Sequence, residues 1–248
     1  MKMMTKNMKK ETPKKKGNRP DGRAANELRE MEAKVGIIKR ADGSAMFRIG
    51  KTIALAAVYG PRELHPKFLQ NPEKGVLRCH YNMLAFSGSG ERVKPGPTRR
   101  SRELGLIIEK ALTPVLSLDQ YPNAVIDVFV ELLQTDSGTR CAGVCAASLA
   151  LADAGIPMKD LVSAVSVGIV NGNVVADLTK EEEDLDGAVD IPVGVLPRTG
   201  AYSLLQMDGE ISREQLREAL ELGKKVCLDV FKVQQKALKE SYHHAQNH

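Results

Sequence analysis

The stretch "LQTDSGTRCAGVCAASLALADAGIP", residues 133–157, passes from a polar Asp-Ser-Gly-Thr run into a segment built almost wholly from small residues, stopped by Gly155-Ile156-Pro157. Such a segment is a helix beginning near Arg140 or Cys141. The first N–H groups of a helix have no partner and carry partial positive charge, so an arginine there is unfavourable unless something negative lies beside it. Ser137, Gly138 and Thr139 supply hydroxyls and a flexible backbone just before the helix, the arrangement that holds a phosphate at a helix N-terminus. A Ser or Thr cap with an outward-pointing arginine is the simpler explanation of this one segment taken alone. No Lys-Ser or Lys-Thr pair follows the glycine, which excludes a P-loop.

The same conflict recurs upstream. "TRRSREL" (98–104) opens a second helix with Arg99, Arg100 and Arg102, and Leu104, Ile107, Ile108 and Ala111 recur at helical spacing behind them. Thr98 is the candidate cap, and Pro114 lies beyond the end. Taken singly, Arg99 or Arg102 reads as part of a solvated basic turn. Two helix starts that both place arginine beside Ser, Thr or Gly point to a shared anion, because guanidinium forks grip phosphate oxygens bidentately.

A third element, "EEEDLDGAVDIPV" (181–193), sets Asp184, Asp186 and Asp190 before an apolar strand. In an extended chain their even spacing would aim all three carboxylates one way, with Gly187 able to interrupt this. Glu181 to Glu183 read as a solvated loop. Asp190, immediately before Ile191, is the hardest to assign to the surface. Ion pairs that hold loops and catalytic carboxylates are both open readings at this point. If catalytic, the aspartates suit a proton donor to a leaving oxygen or a site for a hard divalent cation. With the arginines and the Ser-Gly-Thr cradle they describe phosphoryl transfer, in which positioning and charge stabilisation do most of the work.

Around these elements lies an ordinary globular chain. Its 248 residues and 42% hydrophobic content suffice for one large domain or two packed halves. The formal charge of +5 resides in the tail, because residues 1–16 carry seven lysines against one glutamate and leave the rest near neutral. That tail lacks the apolar core of a signal peptide, and no apolar run is long enough to span a bilayer, so a cytoplasmic location is expected. Cys79, Cys141, Cys145 and Cys227 have no CxxC spacing and read as reduced structural thiols. His65 and His80 are the only histidines outside the polar C-terminal end, which disfavours a histidine metal site or a Ser-His-Asp triad. Asp42-Gly43 and Asn171-Gly172, each between apolar runs, are hairpin signals. "VLRCHYNMLAF" and "NAVIDVFVELLQT" read as strands, and a long helix starts near Arg213. Two halves of similar α+β character follow from this order.

Several ordered motifs make the chain recognisable: "RPDGR" (19–23), "YGPRELHP" (59–66), "PTRRSREL" (97–104), "LLQTDSGTRCAG" (132–143), "SLALADAGIPM" (148–158) and the Asp184 to Asp190 spacing. Together they resemble the ribonuclease PH family, in its archaeal exosome branch, from about Arg19 to the last helix. The resemblance implies the ribosomal-protein-S5-domain-2-like α+β fold, two packed βα halves in one domain over residues 19–241, between a disordered basic tail (1–18) and a C-terminal tail (242–248). It implies a phosphorolytic 3′→5′ exoribonuclease that uses inorganic phosphate as co-substrate to release nucleoside diphosphates from single-stranded RNA, reversible as tailing.

Matched motif by motif, Ser137, Gly138, Thr139 and Arg140 would hold phosphate. Arg100 would join them at the scissile group, and Asp184 would be the general acid with Asp190 its partner, the pair holding Mg²⁺ if one is used. Arg99, Arg62 and His65 would contact RNA. The resemblance also implies a hexameric ring in which an Rrp42-like subunit alternates with this one, capped by S1/KH-domain RNA-binding subunits. Two departures stand out. Ser137-Gly138 replaces the small pair of other branches, and Pro192 stands where a relative carries a basic residue. Backbone contacts through arginine predict little base specificity and marked salt dependence. With five phenylalanines, five tyrosines and no tryptophan, extensive stacking is not expected. The competing readings are a homohexameric ribonuclease PH that trims tRNA 3′ ends, a non-catalytic RNA-binding ring subunit, and a nucleic-acid-binding module driven by the lysine tail.

Overall fold

The computed structural model describes residues 19–90, 94 and 96–245; the basic tail expected over residues 1–18 lies outside them. The chain forms β1 (Met31–Val35), β2 (Gly43–Ile49), β3 (Thr52–Glu63), β4 (Val76–Met83), α1 (Arg99–Leu112), β5 (Ala124–Gln134) and α2 (Thr139–Asp153). It continues through β6 (Ser163–Val170), β7 (Asn173–Ala176), α3 (Lys180–Glu183), β8 (Val189–Val195), β9 (Tyr202–Leu205) and α4 (Arg213–Ala245). One sheet has the order β1-β2-β3-β5-β4 and the other β7-β6-β8-β9. Every neighbouring pair is antiparallel except β4 and β5, which run parallel and are joined through α1. This is the α+β arrangement of two βα halves that the element order predicts. The main apolar cluster crosses between them, drawing Ala164, Leu204 and Val230 into one core with Phe47, Ile108 and Leu149.

The small-residue helix explains how the halves meet. Twelve of the fifteen residues of α2 are buried, so it has no solvent face on which polar residues could collect. It packs on β2 and β3 of the first sheet and on β6 of the second. A Cβ on Gly143 would press on Val130, Ile108 and Tyr81. Ala, Cys and Gly are therefore required by the closeness of the walls, and the backbone of α2 can approach both sheets only because its side chains are short. Cys145 shows how tightly it is placed: Sγ donates to the Ala164 carbonyl at 3.3 Å and accepts from the Ala164 amide at 3.2 Å. Burial pushes its thiol pKa up to about 12. All four cysteines are free, in line with their reading as structural thiols.

The helix α4 closes the molecule along a buried stripe of Ala219, Val226, Cys227, Val230, Gln234 and Ala237. Gln234 is completely buried, accepting from the Ser163 hydroxyl at 2.6 Å and donating to the carbonyls of Val162 and Cys145. The helix continues to Ala245, so the end drawn at residue 241 from sequence falls within helix.

Two local expectations are corrected. Asn171 (φ 50°) and Gly172 (φ 78°) do form the two-residue turn between β6 and β7. Asp42-Gly43 does not form a turn: Gly43 is already in β2, paired with Val58, and the tight turn lies at Gly50-Lys51 between β2 and β3. Gly43 is needed for another reason. A Cβ there would sit on the Ala154 amide and the Ala150 carbonyl, far inside van der Waals contact with the end of α2. Glu181 to Glu183, expected as solvated loop, are helical in α3, with a capping box between Thr179 and Glu182 and with Glu182 fully buried. Asp184 is the C-cap of that helix, so Asp184, Asp186 and Asp190 do not share an extended strand.

Gly43→Ala must move β2 away from α2, and backbone cannot yield as a flexible side chain would. We expect a loss of about 3 kcal/mol, or about 6–12 °C in Tm, checked by thermal unfolding followed by circular dichroism.

Candidate active site

The start of α2, the start of α1, the end of β5 and the beginning of β8 converge on a cleft of about 830 Å³. At its floor, Ser137 (φ 58°) and Gly138 (φ 64°) are consecutive left-handed residues that turn the chain from β5 into α2. The serine pays a conformational penalty of order 1 kcal/mol that the glycine does not. The helix cap is Gly138, with no side-chain cap. The reading of Ser or Thr as the cap of α2 is thus not realised, and the helix's first amides keep their donors for something else. The Ser137 hydroxyl is buried and makes no hydrogen bond of ordinary geometry. By contrast α1 is capped as expected, the Thr98 hydroxyl accepting from the Ser101 amide at 3.1 Å.

The turn is held from outside. Thr52, fully buried at the start of β3, donates its hydroxyl to the Ser137 carbonyl at 2.8 Å and accepts from the Asp136 amide at 2.9 Å. Arg29 donates to the Asp136 carbonyl at 2.5 Å and forms a two-pronged pair with Asp177 at 2.6 and 2.9 Å. Asp177 itself is left-handed (φ 55°) and buried. Arg23 reaches the same carboxylate at 3.2 Å, and Arg19 pairs with buried Glu182 through two bonds of 2.6 Å. The "RPDGR" arginines are therefore structural clamps that tie the N-terminal segment to β7 and α3, while Arg29 ties it to the turn before α2.

Within the cleft the charges are differently arranged. Arg100 and Arg140 both line it, and among the described residues neither forms an ion pair. The Arg140 Nη1 donates to Gln206 Oε1 at 2.9 Å. Glu183 and Asp190 line the same cleft. Burial raises the Asp190 carboxyl above its ordinary range, against a short hydrogen bond from Ser166 and the field of Arg140, with Asp208 adding to the rise. Burial and then the nearby Asp190 raise Glu183 likewise. Tyr81 from β4 adds a buried hydroxyl close to Thr139, without a hydrogen bond of ordinary geometry.

Of the residues singled out in the sequence, the structure gathers Arg100, Ser137, Gly138, Thr139, Arg140 and Asp190 around one cleft. Asp184 is exposed and ion-paired with Lys180, which lines the cleft while Asp184 does not. Arg99 lies exposed at the start of α1. Arg62 and His65 lie outside the cleft on the exposed end of β3 and the loop beyond, Arg62 over the Tyr59 ring at 5.1 Å and 3.4 Å from Asp42, His65 Nε2 3.6 Å from Glu63. Sequence reasoning missed Tyr81, Lys180, Glu183, Asp208 and Gln206. Only Glu183 carried a usable signal, since a capping box at Thr179 and Glu182 turns its neighbour inward. The two carboxylates matched to Mg²⁺ are not presented together: Asp184 is committed to Lys180 and Asp190 to Ser166. Among the described residues no group of three His, Cys, Asp or Glu side chains is placed to hold a metal.

Cations without ion pairs among the described residues, uncommitted helix amides and carboxyls with raised pKa values, all lining one cleft, suit a tetrahedral oxyanion and proton transfer at a departing oxygen. Comparison with known proteins agrees. Residues 27–157 match the family model "3' exoribonuclease family, domain 1" and residues 160–226 match "domain 2" of the same family. The exosome complex component Rrp41 of Thermococcus gammatolerans is 52% identical over 91% of this chain and 90% of its own length. The Methanopyrus kandleri protein of the same name is 49% identical over 91% of this chain and 94% of its own. Among solved structures, rice (Oryza sativa) Rrp46 superposes with a TM-score of 0.80 at 26% identity, covering 89% of this chain and all of that one.

Thr52→Val keeps the shape of the buried side chain while stranding the Ser137 carbonyl and the Asp136 amide. The variant should lose about 2 kcal/mol of stability in urea denaturation, a larger effect than the change of one hydroxyl to a methyl has on a surface.

Proposed function

This chain belongs to the ribonuclease PH family of 3′ exoribonucleases, and on that premise we propose that its cleft performs phosphorolysis as the active subunit of an archaeal exosome. One observation carries the proposal most directly. Arg100 and Arg140 enter one cleft with no carboxylate ion-paired to them among the described residues, beside a buried Ser137 hydroxyl at a helix start without a side-chain cap. That is a site prepared for phosphate oxygens and left open for them.

Inorganic phosphate is the nucleophile. One of its oxygens attacks the phosphorus of the last phosphodiester, the bond to the 3′ oxygen of the preceding nucleotide breaks, and a nucleoside diphosphate leaves. The shortened RNA keeps a 3′ hydroxyl, and the reverse reaction extends it from diphosphates. Ser137, Gly138, Thr139 and Arg140 hold the attacking phosphate, while Arg100 neutralises charge that builds on the scissile group. The departing 3′ oxygen requires a proton. Asp184 and Asp190 are the candidates, and their surroundings separate them: Asp190 lines the cleft half-buried with a raised pKa, whereas Asp184 is exposed and ion-paired with Lys180, which lines it. A resident Mg²⁺ does not fit the placement of these carboxylates, so no step is routed through one.

Arg99, Arg62 and His65 are proposed as RNA contacts outside the phosphate site, gripping a single strand by its backbone with little regard for base. Hexameric assembly with an Rrp42-like subunit and S1/KH-domain caps, in the cytoplasm, completes the reading. It draws on the chain's similarity to exosome components. Among the described residues no helix is long and apolar enough to cross a membrane.

The test is release of nucleoside diphosphates from a 3′-tailed RNA, with the chain alone and with its ring partner. Release should require phosphate, and Arg140→Ala should lower it about a hundredfold or more, in the range of removing one transition-state donor. Comparing Asp184→Ala with Asp190→Asn in the same assay assigns the acid, which is the variant that abolishes the reaction while RNA still binds. Release of nucleoside monophosphates independent of phosphate would overturn the reading.

A further inference from the structure

Arg140 is held unlike the other buried or half-buried arginines of this fold. Arg19, Arg23 and Arg29 are each fixed by a carboxylate, at 2.6, 3.2 and 2.6 Å from Glu182, Asp177 and Asp177 respectively. Arg140 is fixed by a neutral amide, Gln206 Oε1, and among the described residues this is the only hydrogen bond its guanidinium makes. Gln206 is not among the residues that line the cleft, so it holds the guanidinium from outside the lining. Its own position is set by backbone. The Gln206 amide donates to the Pro192 carbonyl at 3.1 Å, and two residues on, Asp208 and Asp190 exchange both backbone hydrogen bonds at 2.9 and 3.2 Å. The ladder between β8 and β9 thus extends past Leu205, and residue 206 is placed by the same strand that carries Asp190.

We propose that Gln206 is a positioning residue for phosphate, orienting Arg140 from outside the cleft lining without neutralising it; this rests on the phosphorolytic reading above. A guanidinium has five N–H donors in a rigid fork, and fixing one aims the rest. A carboxylate in that place would orient the arginine as well, yet would cancel the charge that attracts phosphate. An amide separates the two effects. The choice of Gln over Glu is therefore specific to an arginine that must stay electrically available, and Glu at 206 should be worse than no side chain at all.

The experiment uses the chain assembled with its ring partner, with Gln206→Ala, Gln206→Met and Gln206→Glu. Initial rates are measured against inorganic phosphate and against RNA separately. Loss of orientation should raise the phosphate KM about five- to tenfold in the alanine and methionine variants, with kcat and the RNA KM within about twofold. The glutamate variant should raise the phosphate KM by about a further tenfold or more, because it adds a charge beside the arginine. Protection of each variant against thermal unfolding by inorganic phosphate, at fixed ionic strength, should follow the same order and needs no turnover. Equal phosphate KM and equal protection for wild type and Gln206→Glu would overturn the inference. So would losses spread evenly over kcat and both KM values, which mark a merely structural role. Absence of any phosphate dependence in the wild-type rates would count instead against the proposed function, and the protection series would then decide the role of Gln206 by itself.

Discussion

The fold depends on one steric constraint: a helix with walls on both sides. Because α2 is buried against both sheets, its residues must be small all round, and its axis is fixed by the packing of two layers at once. A helix so confined cannot shift its N-terminus without disturbing both halves. The uncommitted amides at its start are consequently held still at the seam between β5 and β8, where residues from the two halves can face each other. Asp190 and Glu183, Arg100 and Arg140 line one cleft there.

A second layer of organisation is ionic. Arg19, Arg23 and Arg29 with Asp177, Glu182 and Asp136 form a mostly buried network that runs from the N-terminal segment to the turn before α2 and to α3. Burial opposes the charge on Arg29, but its bonds to Asp177 outweigh that and hold it protonated. Such a network adds little net stability over a well-packed apolar one, while removal of a single member strands a buried charge at a cost of about 3–5 kcal/mol. What it supplies is geometry: Ser137 is left-handed and Asp177 is left-handed, and each is pinned by partners that leave no alternative conformation.

The legibility of this arrangement in sequence follows the range of the interactions. Helix starts are local, so the conflict of Arg100 and Arg140 with the helix dipole could be read directly, as could the Asn171-Gly172 turn. Gly43 misled because a glycine after Asp signals a turn locally, whereas its requirement comes from Ala150 and Ala154, over a hundred residues away. The parallel pairing of β4 with β5 is equally invisible, since alternation within a strand is the same for either direction. Glu182 and Glu183 looked solvated because acidic runs usually are; burial of the first required Arg19, which lies 163 residues distant. Gln206 had no local mark at all, being significant only for what it faces.

The cleft is also where the molecule is least at ease. Folding raises the carboxyl pKa values of Glu183 and Asp190 above their ordinary range, with burial the foremost cause in both. For a group so raised, the favourable contribution to folding is complete below the unfolded pKa and is lost as pH rises through the folded one. Once ionised, the two acids oppose burial. Among the described residues Arg100 and Arg140 form no ion pair, although both act on Asp190 through its charge. A tetrahedral anion entering the cleft would give Arg100 and Arg140 the oxygens that no ion pair supplies among the described residues. Stability withheld at the cleft in this way becomes affinity for the ligand that completes it.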